Sequence, residues 1–147
     1  SYISDLADIF GVSEKILLSG SLTPNISEVG NIKKIRFYVC PYCGSFMQGV
    51  GNCQVICCGK PLKALTFKVV DEGHSLTVSE MDNDYYIEFD HEMTKEHFIS
   101  FMACVTADKV HFVKLYPEGN AETRFNPRGH GYIYFYCNKH GLMKIKI

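Results

Sequence analysis

Cys137 and His140 lie three residues apart at the close of a strand-like run, Gly131 to Cys137. In that run Tyr132, Tyr134 and Tyr136 share one face of a strand, and Ile133, Phe135 and Cys137 share the other. The Cys137 thiol therefore leaves the sheet on its apolar, inward side, and His140 follows on the turn. A second pair, His91 and His97, flanks one loop that enters another strand. A lone histidine is more often a packed or surface group than a ligand. Two on one loop, with Cys-x2-His on another, are a stronger signal for a metal. Imidazoles suit iron, copper, nickel or zinc, and one soft thiolate among them tunes redox potential and electron donation.

A different group of cysteines lies upstream: Cys40 and Cys43 as C-x2-C, then Cys53, then the adjacent pair Cys57 and Cys58 followed by Gly59. A C-x2-C turn lets two thiolates grip one ion, and two pairs complete a tetrahedral shell of four sulfurs that suits iron or zinc. Side chains of adjacent residues normally diverge, so Cys57 and Cys58 need a bent backbone to reach one ion, and Gly59 helps to supply the bend. Cys53 is the spare thiol, and Cys104, inside an apolar run, reads as a core residue.

The chain has 147 residues, 46% hydrophobic and 21% charged, with a formal net charge of −1. These values describe a folded, core-bearing chain with no basic surface suited to nucleic acid and no acidic tail. Its apolar runs fall short of the roughly 20 residues that cross a bilayer. The opening residues carry no basic-then-apolar pattern of a secretory signal, although the first residue is Ser1 and not Met. An odd count of seven cysteines without such a signal fits metal binding in a reducing, cytoplasmic setting better than a disulfide framework.

Three stretches must position these groups. Residues 1–35 read as a helical arm and linker: Ile3, Leu6, Ile9 and Phe10 recur at helical spacing, Gly11 interrupts, and Ser13 can cap a second short helix through Leu18. Residues 21–35 read as the linker. Residues 36–66 hold the four-cysteine module. From residue 67 to 147 the period is two, with a turn at 81–84, a near-continuous apolar run at 98–105, and further strands at 109–116, 121–126, 131–137 and 142–147. The expected fold is mainly β: a small metal knuckle, then an immunoglobulin-like β-sandwich of about seven strands.

Two resemblances rest on these motifs. Cys40-x2-Cys43-Gly44 with Cys57-Cys58-Gly59-x-Pro61-Leu62 resembles desulforedoxin, the iron–tetracysteine module that opens desulfoferrodoxins. His91-x-Met93-Thr94-x-Glu96-His97-Phe98-Ile99, with Cys137-Asn138-x-His140-Gly141-Leu142, resembles the catalytic domain of the desulfoferrodoxin and neelaredoxin superoxide reductases. The resemblance implies two mononuclear non-haem irons, with zinc a possible substitute in the four-cysteine site. It assigns His91, His97 and His140 to three equatorial positions and Cys137 to the axial one. His74, in Asp71-Glu72-Gly73-His74, takes the fourth equatorial position on a looser match, because the chain is shorter here than the family norm. It also implies superoxide as substrate, an external donor such as a rubredoxin-like protein, and a homodimer.

The family usually reads Glu-Lys-His at the first ligand. Glu72 matches the Glu, which can ligate ferric iron and stands as the catalytic candidate, but Gly73 replaces the Lys that draws in superoxide. Lys139 and Lys95 read as solvated lysines, and His111 and His130 match no ligand position. Residues 6–20 resemble the last helices of Xre-type helix-turn-helix repressors. The expected function is accordingly a superoxide reductase-like iron protein. The alternative is the metal- or redox-sensing domain of a transcription regulator, with DNA read only by a region upstream of Ser1.

Overall fold

The computed structural model describes residues 2–11, 13–20, 30–126 and 130–147. Most of the expected linker, residues 21–29, lies outside them. The arm is two helices, α1 (Tyr2–Phe10) and α2 (Glu14–Ser19). Its stripe does not pack as the spacing suggests: Ala7 is buried, whereas Ile9 and Phe10 are 75% and 58% exposed. An ion pair of 3.1 Å from Lys33 to Asp8 ties α1 to the body. Among the described residues no helix is long and apolar enough to cross a membrane.

Strands β1 (Ile35–Val39) and β2 (Phe46–Val50) form an antiparallel hairpin whose loop carries Cys40 and Cys43. Strands β3 (Val55–Cys57) and β4 (Lys60–Leu62) form a second hairpin, paired Cys57 to Lys60. Its two-residue turn is Cys58 and Gly59, with φ of 52° and 72°. Two successive left-handed residues make the tight turn that fits twisted strands, so the bend includes Cys58 itself and not Gly59 alone.

The rest is the expected sandwich. One sheet orders β10 (Glu122–Phe125), β7 (Asp84–Phe89) and β6 (Leu76–Met81). The other orders β5 (Phe67–Val69), β12 (Gly141–Lys146), β11 (Tyr132–Cys137), β8 (Ile99–Val105) and β9 (Val110–Lys114). All pairings are antiparallel except β12 with β5. Between the sheets Ile87, Phe89, Met102, Cys104, Phe125, Ile133, Phe135, Cys137 and Met143 form one core. Each large side chain removed from water there stabilises the fold by about 1.5–3 kcal/mol.

The tyrosine face of β11 is covered as well. Tyr134 is 6% exposed and packs with Phe37, Phe101, Ala103 and Leu142 beneath β1. The five-stranded sheet therefore lies between the smaller sheet and the first hairpin, which is why β8 is apolar on both faces. Near its start β8 carries a bulge: Tyr136 faces Phe101 but Cys137 faces Ile99, so Ser100 is skipped. The skip turns Ile99 into the core that holds Cys137. The freed Ser100 carbonyl accepts from Leu115 N–H at 2.9 Å and Lys114 Nζ at 3.0 Å.

Candidate metal centres

The four cysteines of the two hairpins meet: the sulfurs of Cys40, Cys43, Cys57 and Cys58 all lie within 4.8 Å of one another. Neighbouring sulfurs around a tetrahedral ion stand about 3.8 Å apart; Cys43 and Cys57 stand at 3.5 Å. Gly44 (φ 73°) turns the C-x2-C loop back, with Gly44 N–H donating to Cys40 O at 2.9 Å and Cys40 N–H to Ser45 O at 2.8 Å. Hydrogen bonds from Ser45, first its hydroxyl and then its backbone, bring the Cys43 thiol down to about 6. Hydrogen bonding to the Cys43 and Cys40 sulfurs pushes Cys58 up to about 12. A bound cation favours the thiolate form of every sulfur that ligates it, so metal binding at this group releases protons. Cys53 stands outside it: its Sγ lies 3.5 Å from the Tyr38 hydroxyl and over Gly49, where a β-carbon would meet it at 2.2 Å.

The second group gathers at one end of the sandwich. His74 sits in the 3-10 turn Glu72–His74 ahead of β6, His91 and His97 flank the loop from β7 to β8, and Cys137 and His140 flank the turn from β11 to β12. The four imidazoles form a closed ring. Successive centroids, His74 to His91, His91 to His97, His97 to His140 and His140 to His74, are 4.8, 4.5, 4.9 and 4.8 Å apart, and the His74–His97 diagonal is 6.2 Å. Cys137, fully buried, sits against this ring, its Sγ 3.1 Å from His97 Nε2, 3.4 Å from His140 Nδ1 and 3.7 Å from His91 Nε2. His97 Nε2 and His140 Nδ1 are 3.1 Å apart. Neighbouring donors around one ion stand about 2.9–3.1 Å apart at right angles and about 3.3–3.6 Å apart at tetrahedral angles. The donor atoms of His74, His97, Cys137 and His140 lie within 4.8 Å of one another; His91 falls outside that mutual limit yet closes the ring.

The outer nitrogens explain which atoms face inward. His74 Nδ1 donates to the Asp71 carboxylate at 2.6 Å, His97 Nδ1 to Glu92 Oε1, and His91 Nδ1 to the Glu92 carbonyl at 2.5 Å. A carboxylate or carbonyl only accepts, so each Nδ1 carries the proton and each Nε2 keeps its lone pair for the centre. His74 Nε2 is buried with no hydrogen-bond partner, an orphan that a metal would satisfy. The fit of this donor set to one ion is therefore good. Burial, and then the neighbouring imidazoles, hold His91 and His140 below the ordinary histidine value. Hydrogen bonds from the His74 and His97 imidazoles hold Asp71 and Glu92, respectively, below the usual carboxylate range.

Asn138 joins the two loops. Its side-chain oxygen accepts from Phe98 N–H at 2.9 Å, its own N–H donates to Phe98 O at 3.1 Å, and its Nδ2 donates to Glu96 O at 2.9 Å. Glu72 is exposed on the turn that carries His74. Lys95 pairs with Glu118 at 3.9 Å, and Lys68 donates to the His140 carbonyl at 2.9 Å. His111 lies on β9 opposite Cys104, and His130 is exposed on the approach to β11. Neither His111 nor His130 is among the rings that close the centre. Reading by residue type had no means of finding Asp71, Glu92, Asn138 or Lys68, because one charged or amide loop residue looks like any other. Position is the signal instead: Glu92 directly follows His91, Asp71 stands three residues before His74, and Asn138 falls within the Cys137-x2-His140 motif.

No family model matches the sequence. The chain is 32% identical over 120 residues to a desulfoferrodoxin of Syntrophotalea carbinolica, covering 75% of this chain and 94% of that one. It is 29% identical over 117 residues to a desulfoferrodoxin homolog of Archaeoglobus fulgidus, covering 74% and 94%. The superoxide reductase of Treponema pallidum superposes with a TM-score of 0.66 at 22% identity, covering 76% of this chain and 96% of that one, a likeness of fold.

Proposed function

The chain belongs to the desulfoferrodoxin family, and from that premise we propose that it is a two-iron redox protein reducing superoxide to hydrogen peroxide at the histidine–cysteine centre. The observation that carries this reading is the closed ring of four imidazoles set against one buried thiol. Five nitrogen and sulfur donors exceed the four of a structural zinc site and suit a redox iron. His74, His91, His97, His140 and Cys137 would hold the iron, which would supply one-electron reduction of superoxide, with one electron from an external donor and two protons from water balancing each peroxide formed.

The chain's own contribution is orientation. Cys137 at the end of β11 and the bulge at Ser100 fix the sulfur in the core, out of reach of solvent. Asn138 holds the His97 loop to the Cys137–His140 turn, so three donors move as one unit. Residues 36–66 serve as the electron-transfer module, with iron or zinc held by Cys40, Cys43, Cys57 and Cys58. Residues 67–147 form the catalytic domain, with Glu72 as the sixth-position candidate, and residues 1–35 the arm. A homodimer and a rubredoxin-like donor complete the proposal.

A second reading, the sensing domain of a helix-turn-helix regulator, is favoured by Gly73 in place of lysine and by the exposed apolar stripe of α1. The test is a pulse of superoxide delivered to the ferrous protein. Stoichiometric peroxide with appearance of the ferric iron–thiolate band and its bleaching when the donor re-reduces the iron, lost in Cys137→Ser, supports the enzyme. A reaction no faster than that of free ferrous ion, in a protein carrying both irons, overturns it in favour of the sensor.

A further inference from the structure

The two carboxylates beside the ring are not distributed evenly. Asp71 and Glu92 accept the Nδ1 protons of His74 and His97, which face each other across the diagonal of 6.2 Å. On the other diagonal, His91 donates to a backbone carbonyl and His140 turns its Nδ1 inward. One diagonal is thus backed by two negative charges and the other by none. Resting on the functional reading above, we propose that Asp71 and Glu92 are positioning residues that fix the inward lone pairs of His74 and His97 and lower the reduction potential of the ion held there.

The direction follows from charge. A carboxylate accepting an imidazole N–H draws the proton outward and leaves the opposite nitrogen a stronger donor. A stronger donor favours the ferric over the ferrous state, so the ferrous centre gives up its electron more readily. Both carboxylates are more than half exposed, and the charge of Lys139 acts on Glu92, so water and that lysine screen part of the effect. Gly73 offers no cation to draw an anion in. The chain thereby relies on driving force where an added positive charge would have relied on capture.

Amide and alanine variants separate charge from orientation, because Asp71→Asn and Glu92→Gln keep an acceptor oxygen while losing the charge. The full-length iron-loaded protein is titrated spectroelectrochemically, with the four-cysteine centre as internal reference, and cobalt(II) affinity at the second centre is measured by chelator competition. D71N and E92Q raise the midpoint potential of the second centre and leave the reference in place. D71A and E92A do the same and also weaken cobalt binding about 10–100-fold. An unmoved midpoint in all four variants, or an equal shift at both centres, overturns the proposal. A raised midpoint in a protein that leaves superoxide untouched upholds it and removes the enzymatic reading instead.

Discussion

Restoring the missing cation is the most informative single change. Gly73 lies outside the left-handed region, and a β-carbon added there meets one atom, Asp71 Oδ1, at an ordinary 3.5 Å. Gly73→Lys therefore costs the turn little, and Asp71 remains committed to His74. An ammonium about 6 Å from an incoming anion, in surroundings of effective dielectric roughly 40–80, attracts it by about 0.7–1.4 kcal/mol. That is roughly a 3–10-fold rise in the second-order rate with superoxide at low salt. The screening length shrinks from about 10 Å at 0.1 M to about 3 Å at 1 M, so most of the gain disappears at high salt. The assay is the bimolecular loss of superoxide after pulse radiolysis, followed at increasing protein concentration for both proteins across ionic strength. A Gly73→Lys rate equal to the parent's at low salt, with the iron spectrum intact, refutes the claim that this position governs anion capture.

Further outcomes follow from the same geometry. Asn138→Ala removes two side-chain hydrogen bonds that join the donor loops; it should broaden the visible band and weaken metal binding at the second centre, about 1–3 kcal/mol by competition titration, while the four-cysteine spectrum stays unchanged. Phe101, 1% exposed beneath β1, should cost about 3–5 kcal/mol as Phe101→Ala in denaturant unfolding. In the metal-free protein the Cys43 thiol, brought down to about 6, should be alkylated at neutral pH well before the exposed Cys58 thiol, pushed up to about 12, read by mass spectrometry. His91 and His140 are held below their ordinary value when folded, so the unfolded chain takes up their protons first. Apo stability is therefore full above about pH 6.5 and falls below it, a trend that thermal melting checks and that bound metal should steepen.

Local spacing makes much of this legible. C-x2-C and Cys-x2-His are short enough that the turns alone bring their donors together, and the alternation along residues 131–137 by itself points Cys137 inward, where the core holds it. His74 is harder, because residues 71–75 carry no period and only a likeness to relatives points there; its burial depends on two distant loops. Tyr134 shows where alternation runs out. Its face points away from the main core, yet a hairpin some hundred positions upstream covers it. The stripe of α1 fails in the opposite sense: helical spacing reports an apolar face, not whether this chain supplies its cover. Asp71 and Glu92 stay hidden because a carboxylate's partner is set by loop geometry, which no pattern encodes.

The most direct test is a crystal structure of the iron-loaded protein with an anomalous difference map at the iron edge. The expected map has a peak within the ring of His74, His91, His97 and His140, with Cys137 Sγ on one side, the opposite side facing solvent, and a second peak among Cys40, Cys43, Cys57 and Cys58. Iron bound with Cys137 outside its coordination shell, or no peak within the ring, would contradict a shared histidine–cysteine centre.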